Sequence, residues 1–155
     1  MRLHLLAAVA LAALAPAAWP AEASYDFVAC THSKRTMLEA SPEFVAFGVE
    51  SWGIVASSTS KEWERATTHC VGYVRVAAGK PTAKGVCKWF DAAGNAASGE
   101  FDMPASGENK FTWLVGTGKF KGIAGTGTFQ ALSHGEAQPG TAQDCRRDWG
   151  KYSTP

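Results

Sequence analysis

After residue 24 the chain carries almost no helical periodicity. Short runs rich in Val, Phe, Trp and Thr recur instead between clusters of Gly, Pro, Asn and Ser, at the spacing of an all-β fold. About eight strands are predicted, over Tyr25 to His32, Phe44 to Ser57, Thr67 to Ala77, Val86 to Asp91, Ala97 to Met103, Lys110 to Val115, Gly125 to Leu132 and Gln143 to Tyr152. The links between them are short and carry turn chemistry, as in Asp91-Ala92-Ala93-Gly94-Asn95 and Ala105-Ser106-Gly107-Glu108-Asn109. Short links make neighbouring strands antiparallel. An antiparallel meander of this size leaves two edges open unless it closes, so the expected architecture is a closed eight-stranded up-and-down barrel.

Alternation indicates which faces are dry. In Lys110 to Val115, Phe111, Trp113 and Val115 share one face, the pattern of a half-buried strand. In Phe44 to Ser57 both faces are apolar: Phe44, Ala46, Trp52 and Ile54 on one side, Val45, Phe47, Val49 and Val55 on the other. Such a strand needs cover on both sides, one from the barrel interior and the other from a loop, a short helix or a partner chain. The charged stretch from Lys61 to Arg65 around Trp63 reads as a turn or rim.

Met1 to Ala23 has the form of a secretory leader: Arg2 near the start, an apolar run from Leu5 to Leu14, a break at Pro16, and Ala21-Glu22-Ala23 as the cleavage pattern. Residues 24–155 then form a single domain in the periplasm or outside the cell. A composition of 46% hydrophobic and 19% charged residues is globular and excludes a disordered or collagen-like chain. The net charge of +1 provides no footprint for nucleic acid. No second apolar run approaches the roughly 20 residues of a membrane-spanning helix.

All four cysteines, Cys30, Cys70, Cys87 and Cys145, follow the leader, and an even count in an exported chain reads as two disulfides. Three connectivities are open. The preferred one pairs Cys70 with Cys87 across the turn-rich stretch Ala78 to Thr82, and Cys30 with Cys145 between the first and last strands, where the bridge would pin barrel closure. There is no C-x-x-C and no pair of histidines at ligand spacing, so neither a metal nor a cofactor is expected.

Val115 to Phe129 is the most distinctive stretch. It fails the phosphate-loop pattern because Trp113 and Phe120 stand where Gly and Ser or Thr are needed, and Lys121 occupies the third glycine position of the dinucleotide pattern. A strand, a glycine turn with Phe120 tucked in, and a new strand remain. Gly116 and Gly118 are expected to supply positive φ, and Gly125 and Gly127 to leave one face of the next strand bare.

Gly116-Thr117-Gly118-Lys119-Phe120-Lys121-Gly122, followed by Gly125-Thr126-Gly127-Thr128-Phe129, resembles the G-x-G-x-[FY]-x-G-x-x-G signature of the allene oxide cyclase and dirigent barrels and of related bacterial barrels. The resemblance implies an eight-stranded barrel with an open mouth and an apolar cavity. Known members cyclise an unsaturated fatty-acid epoxide or orient phenoxy radicals during coupling. No position here aligns with those families' catalytic residues.

Polar candidates follow from strand parity. His69, Tyr73 and Arg75 share a face with Val71 and would line one wall together. Glu50 sits in the most apolar strand, where a carboxylate must find a partner or shift its pKa upward, and it reads first as a satisfied core group. Glu100 and Asp102 point to water. Arg146 and Asp148 read as part of a solvated face with weak ion pairs.

The leading expectation is an exported barrel that captures a small apolar or aromatic ligand, with Phe47, Trp52, Tyr73, Trp89 and Trp113 as its lining. The alternative is a cyclase or isomerase using Glu50, His69, Tyr73 and Arg75. A third reading is a homo-oligomeric interaction protein of the cell envelope, resting on the two-sided strand around Phe47 and Trp52.

Overall fold

A computed structural model describes residues 21–155. Eight strands, β1 (Ala21–Ala40), β2 (Phe44–Ser58), β3 (Thr67–Ala77), β4 (Lys80–Phe90), β5 (Ala96–Met103), β6 (Asn109–Gly116), β7 (Ala124–Gly135) and β8 (Thr141–Thr154), follow one another around a closed barrel. Each pairs antiparallel with its sequence neighbours, and β1 closes on β8 along a ladder from Ala21↔Thr154 to Lys34↔Thr141. The expected fold is the one observed. The expected leader lies outside the described residues except for Ala21, Glu22 and Ala23, which form the start of β1. Among the described residues no helix is long and apolar enough to cross a membrane.

Two strands are longer than their composition suggests. β1 runs on through Ser33 to Ala40 because the two-sided β2 pairs with it along its whole length, from Phe27↔Ser58 to Ala40↔Val45. β4 begins at Lys80 because the preceding hairpin needs only Ala78 and Gly79, which both take positive φ (50° and 72°) and so match the strand twist. Pro81 is tolerated near the start of β4 because it lies beyond the pairing with β5, which begins at Ala83↔Met103.

Both disulfides are present, Cys30–Cys145 and Cys70–Cys87, each between directly opposed residues. Their orientations differ. Cys70 and Cys87 are buried inside the barrel, whereas Cys30 follows the inward Ala29 and lies on the outer wall. Alternation along each strand then sets which side chains face the interior, with the phase changing only at bulges such as that between Ala131 and Ser133 of β7.

One end of the barrel is filled. The connection from β2 to β3 makes a 3-10 turn, Lys61–Trp63, and the connection from β6 to β7 makes another, Gly118–Phe120. Trp63 and Phe120 fold inward from these turns and stack on each other at 4.8 Å between ring centroids. Trp63 also stacks on Trp113 at 4.9 Å, and Phe27, Trp89, Tyr25 and Tyr152 surround it. The stretch read as a charged rim therefore delivers a core residue: Trp63 is fully buried, and only its charged neighbours Lys61, Glu62, Glu64 and Arg65 meet solvent.

The glycine stretch explains the fit. Gly118 takes positive φ at 58°, but Gly116 does not, contrary to expectation. Gly116 is needed for space, because a Cβ there would stand 2.2 Å from the Phe120 carbonyl oxygen. Gly127 likewise leaves room for the Tyr25 hydroxyl, which a Cβ would meet at 2.0 Å.

Candidate functional site

The opposite half of the barrel is open. A cavity of about 390 Å³ lies between the ends of the strands that lead into the β1–β2, β3–β4, β5–β6 and β7–β8 hairpins. Phe47 and Val49 of β2, Val74 of β3, Phe101 and Met103 of β5, and Phe129 of β7 make an apolar wall. Thr31, Ser33 and Arg35 of β1 and Asp144 and Arg146 of β8 supply polar groups along the seam where the barrel closes. Most of these polar groups are already partnered. The Ser33 and Ser51 hydroxyls are 2.7 Å apart, His134 is bonded to Asp144, and Arg35 lies 3.7 Å from Glu136.

The floor is built by Arg146 and Asp148. Parity on β8 turns Ala142, Asp144, Arg146, Asp148 and Tyr152 inward, because Cys145 on the same strand points outward to Cys30. Arg146 Nε donates to Asp148 Oδ2 at 3.1 Å. The guanidinium lies over the Phe129 ring at 5.0 Å and the Trp89 ring at 5.7 Å, and its Nη2 is 3.9 Å from Cys87 Sγ. The solvated face expected for Arg146 and Asp148 is thus an interior one, and Asp148 is only 2% exposed. Burial pushes its carboxyl up to about 6, against the attraction of Arg146 and the hydrogen bond from it. The neighbouring Tyr25 hydroxyl is pushed up as well, by burial first and by the Asp148 charge second.

These values define the acid side of the stability profile. The folded protein takes up the Asp148 proton at about 6, above the ordinary 3.8 of an unfolded chain, so the contribution of Asp148 to stability grows as pH falls from 6 toward 4. Asp91 behaves in the opposite way. Burial acts to raise its pKa, but hydrogen bonds from Lys119 Nζ (2.8 Å), Asn95 Nδ2 (2.9 Å) and the Asn95 backbone (2.8 Å) hold it at about 2. Its contribution is complete above 3.8 and is lost as pH falls toward 2. Through these two groups urea unfolding should show stability rising as pH falls from about 6 toward 4 and falling again toward pH 2. Asp148→Asn should flatten the arm between pH 4 and 6, and an unchanged arm would show that another group titrates there.

The sequence candidates separate into three places. Phe47 lines the cavity. Trp89 and Trp113 point inward but are sealed into the filled end, at 1% and 3% exposure, although Trp89 carries Arg146 on its ring. Trp52, Tyr73, Glu50, His69 and Arg75 lie on the outer wall, because the buried Cys70–Cys87 bridge turns Thr68, Cys70 and Val74 of β3 inward and so turns His69, Tyr73 and Arg75 outward. There His69 Nε2 is 2.9 Å from Glu50 Oε1, the His69 ring stacks on Trp52 at 5.4 Å, and Arg75 Nε donates to Thr82 Oγ1 at 3.0 Å. Glu50 is a half-exposed surface carboxylate and not a core one. Glu100 and Asp102 face outward as expected, with Asp102 paired to Lys84.

Arg146 and Asp148 are the residues of the candidate site that alternation alone misassigned. Their placement follows from the outward Cys30–Cys145 bridge: Gln143 and Arg147 share the Cys145 face, and Arg146 and Asp148 alternate with them and face in. Among the described residues no cluster of three His, Cys, Asp or Glu side chains is placed to hold a metal ion.

Among solved structures, a pterocarpan synthase dirigent protein shares this architecture, with a TM-score of 0.50 and 11% sequence identity over 88% of this chain and 94% of that one. The chain has a dirigent-like barrel fold. No protein-family model matches it, and no curated protein sequence does. The two disulfides fit an oxidising compartment.

Proposed function

We propose that the protein is an exported binding barrel that takes a small apolar or aromatic ligand into the open half of its interior. The observation that carries this reading is the division of the barrel into a filled end, packed around Trp63, and an open cavity of about 390 Å³ with an apolar wall. That volume is within the usual range for a small-molecule site, about 300–1,000 Å³. The fold shared with a dirigent protein supports the same reading. The isomerase reading loses its nominated groups, since Glu50, His69, Tyr73 and Arg75 stand on the outer wall.

The test uses N-phenyl-1-naphthylamine, a neutral apolar fluorophore. The wild-type protein should bind one equivalent, and Val49→Trp, which fills the cavity from β2, should weaken binding by about tenfold or more. Equal binding by a folded Val49→Trp variant would locate the probe elsewhere and remove the reading. The outer wall supports a second reading, because Trp52, Ile54, Val71, Tyr73 and Val86 of β2 to β4 are 40–54% exposed and offer a surface to another copy of the chain. A protein that sediments as an oligomer and binds no probe would favour that role.

A further inference from the structure

Resting on the reading of the cavity as a ligand site, we infer that its floor is an anion subsite and that the ligand is an aromatic acid whose acid group meets the Arg146 guanidinium. Three observations support this. The guanidinium carries five N–H donors in a fixed plane. Only Nε is used in a close hydrogen bond, to a single oxygen of Asp148, and Nη2 makes no more than a long contact with Cys87 Sγ. Among the described residues no other carboxylate touches it. The forked end of the group is therefore left with spare donors in the one charged side chain of the floor that lines the cavity.

Arg146 is charge-paired with Asp148, but among the described residues no second protein oxygen takes up its remaining donors. The Arg146 side chain is 18% exposed, against aromatic rings of β4 and β7 that hydrogen-bond to nothing on it. Asp148 sits behind it at 3% side-chain exposure, where it orients the guanidinium but is itself shielded from an incoming ligand. The acid that lines the cavity, Asp144, is already matched by His134, and the lining Arg35 has Glu136 at 3.7 Å. An anion is the complement of those spare donors, and charge-assisted hydrogen bonds to a guanidinium are among the stronger ones available. The rest of the ligand follows from the walls. Phe47, Phe101 and Phe129 present rings to a space too apolar for a highly hydroxylated molecule and suited to a flat ring system.

A matched pair of fluorophores separates the charge from the rings. 8-Anilinonaphthalene-1-sulfonate has the ring frame of N-phenyl-1-naphthylamine plus one anionic group that stays ionised at any working pH. The wild-type protein should bind the sulfonate about tenfold more tightly than the neutral probe, and Arg146→Met should weaken the sulfonate by about 10- to 100-fold while moving the neutral probe by less than about threefold. Arg146→Met leaves Asp148 without its partner, so Arg146→Met/Asp148→Asn, which removes both charges, serves as the second variant and should show the same selectivity loss. Sulfonate binding no tighter than that of the neutral probe, or unaffected in both variants, would overturn the anion subsite while leaving the apolar cavity in place. Failure of the wild-type protein to bind either probe would overturn the ligand reading and this inference with it.

Discussion

Trp63→Ala should cost about 3–5 kcal/mol of folding stability and lower the melting temperature by roughly 10–20 °C, as measured by urea and thermal unfolding. Among the described tryptophans only Trp63 is carried on a connection, and it is fully buried within 4.8–6.5 Å of six other aromatic rings. Its removal opens a space that the strands cannot collapse into, because a closed barrel fixes the distance between opposite walls. Trp63→Phe is the informative companion. It keeps a ring in the stack and deletes an indole N–H that is buried without a hydrogen-bond partner, so it should lose only about 1–2 kcal/mol. A loss below about 1 kcal/mol for the alanine variant would mean that the filled end is held by the strands alone.

The same residue marks the limit of what could be read from sequence. Strand order and closure follow from period-two runs and short links, and two bridges from the even cysteine count, because those features act locally or through chain connectivity; of the three pairings left open, the preferred one is observed. Trp63 was hidden by its own neighbours. Lys61, Glu62, Glu64 and Arg65 make the stretch look solvated, and a 3-10 turn that buries one side chain while exposing four has no period to detect. The site was hidden for a different reason. Alternation shows which residues share a face but not which face is inside, and in β3 the outward set of His69, Tyr73 and Arg75 looks more like a chemical site than the inward Thr68, Cys70, Gly72 and Val74. In β8 the same ambiguity ran the other way. Arg146 and Asp148 have the composition of a surface pair, and only their neighbour Cys145, bridged on the outer wall, reverses the assignment.

The two ends of the barrel divide its labour along single strands. β2 contributes Val55 to the filled end and Phe47 and Val49 to the open wall; β8 contributes Tyr152 to the first and Asp144 and Arg146 to the second. Asp148 lies at the boundary, paired across the ladders with Phe27 of β1 and Phe129 of β7. A charge at that level is supported from below by packed aromatics and open to the cavity only through Arg146. Rigid packing beneath the floor is what would hold the guanidinium in one orientation, so stability of the filled end and selectivity at the open end are expected to rest on the same aromatic cluster.

The second large effect is expected at the seam. Cys30 and Cys145 are separated by 115 residues in sequence and join β1 to β8, whereas Cys70 and Cys87 are separated by 17 and join the two arms of one hairpin. In the folded protein the Cys30–Cys145 bridge adds little geometry, since β1 and β8 are already laddered from Ala21↔Thr154 to Lys34↔Thr141. Its contribution lies in the unfolded chain, where closing so long a loop removes conformational freedom equivalent to about 5 kcal/mol, against about 3 for the shorter loop. Cys30→Ala/Cys145→Ala should therefore fall by about 5 kcal/mol in urea unfolding, with a steeper denaturant dependence because its unfolded state is more expanded. Mild reductant on the wild-type protein should open the same bridge first, as mapped by thiol alkylation, since Cys87 is fully buried in the interior while Cys30 and Cys145 lie on the outer wall. A double variant within about 1 kcal/mol of wild type would show that the unfolded chain already holds its ends together without the bridge, and that closure of this barrel is decided by the β1–β8 ladder.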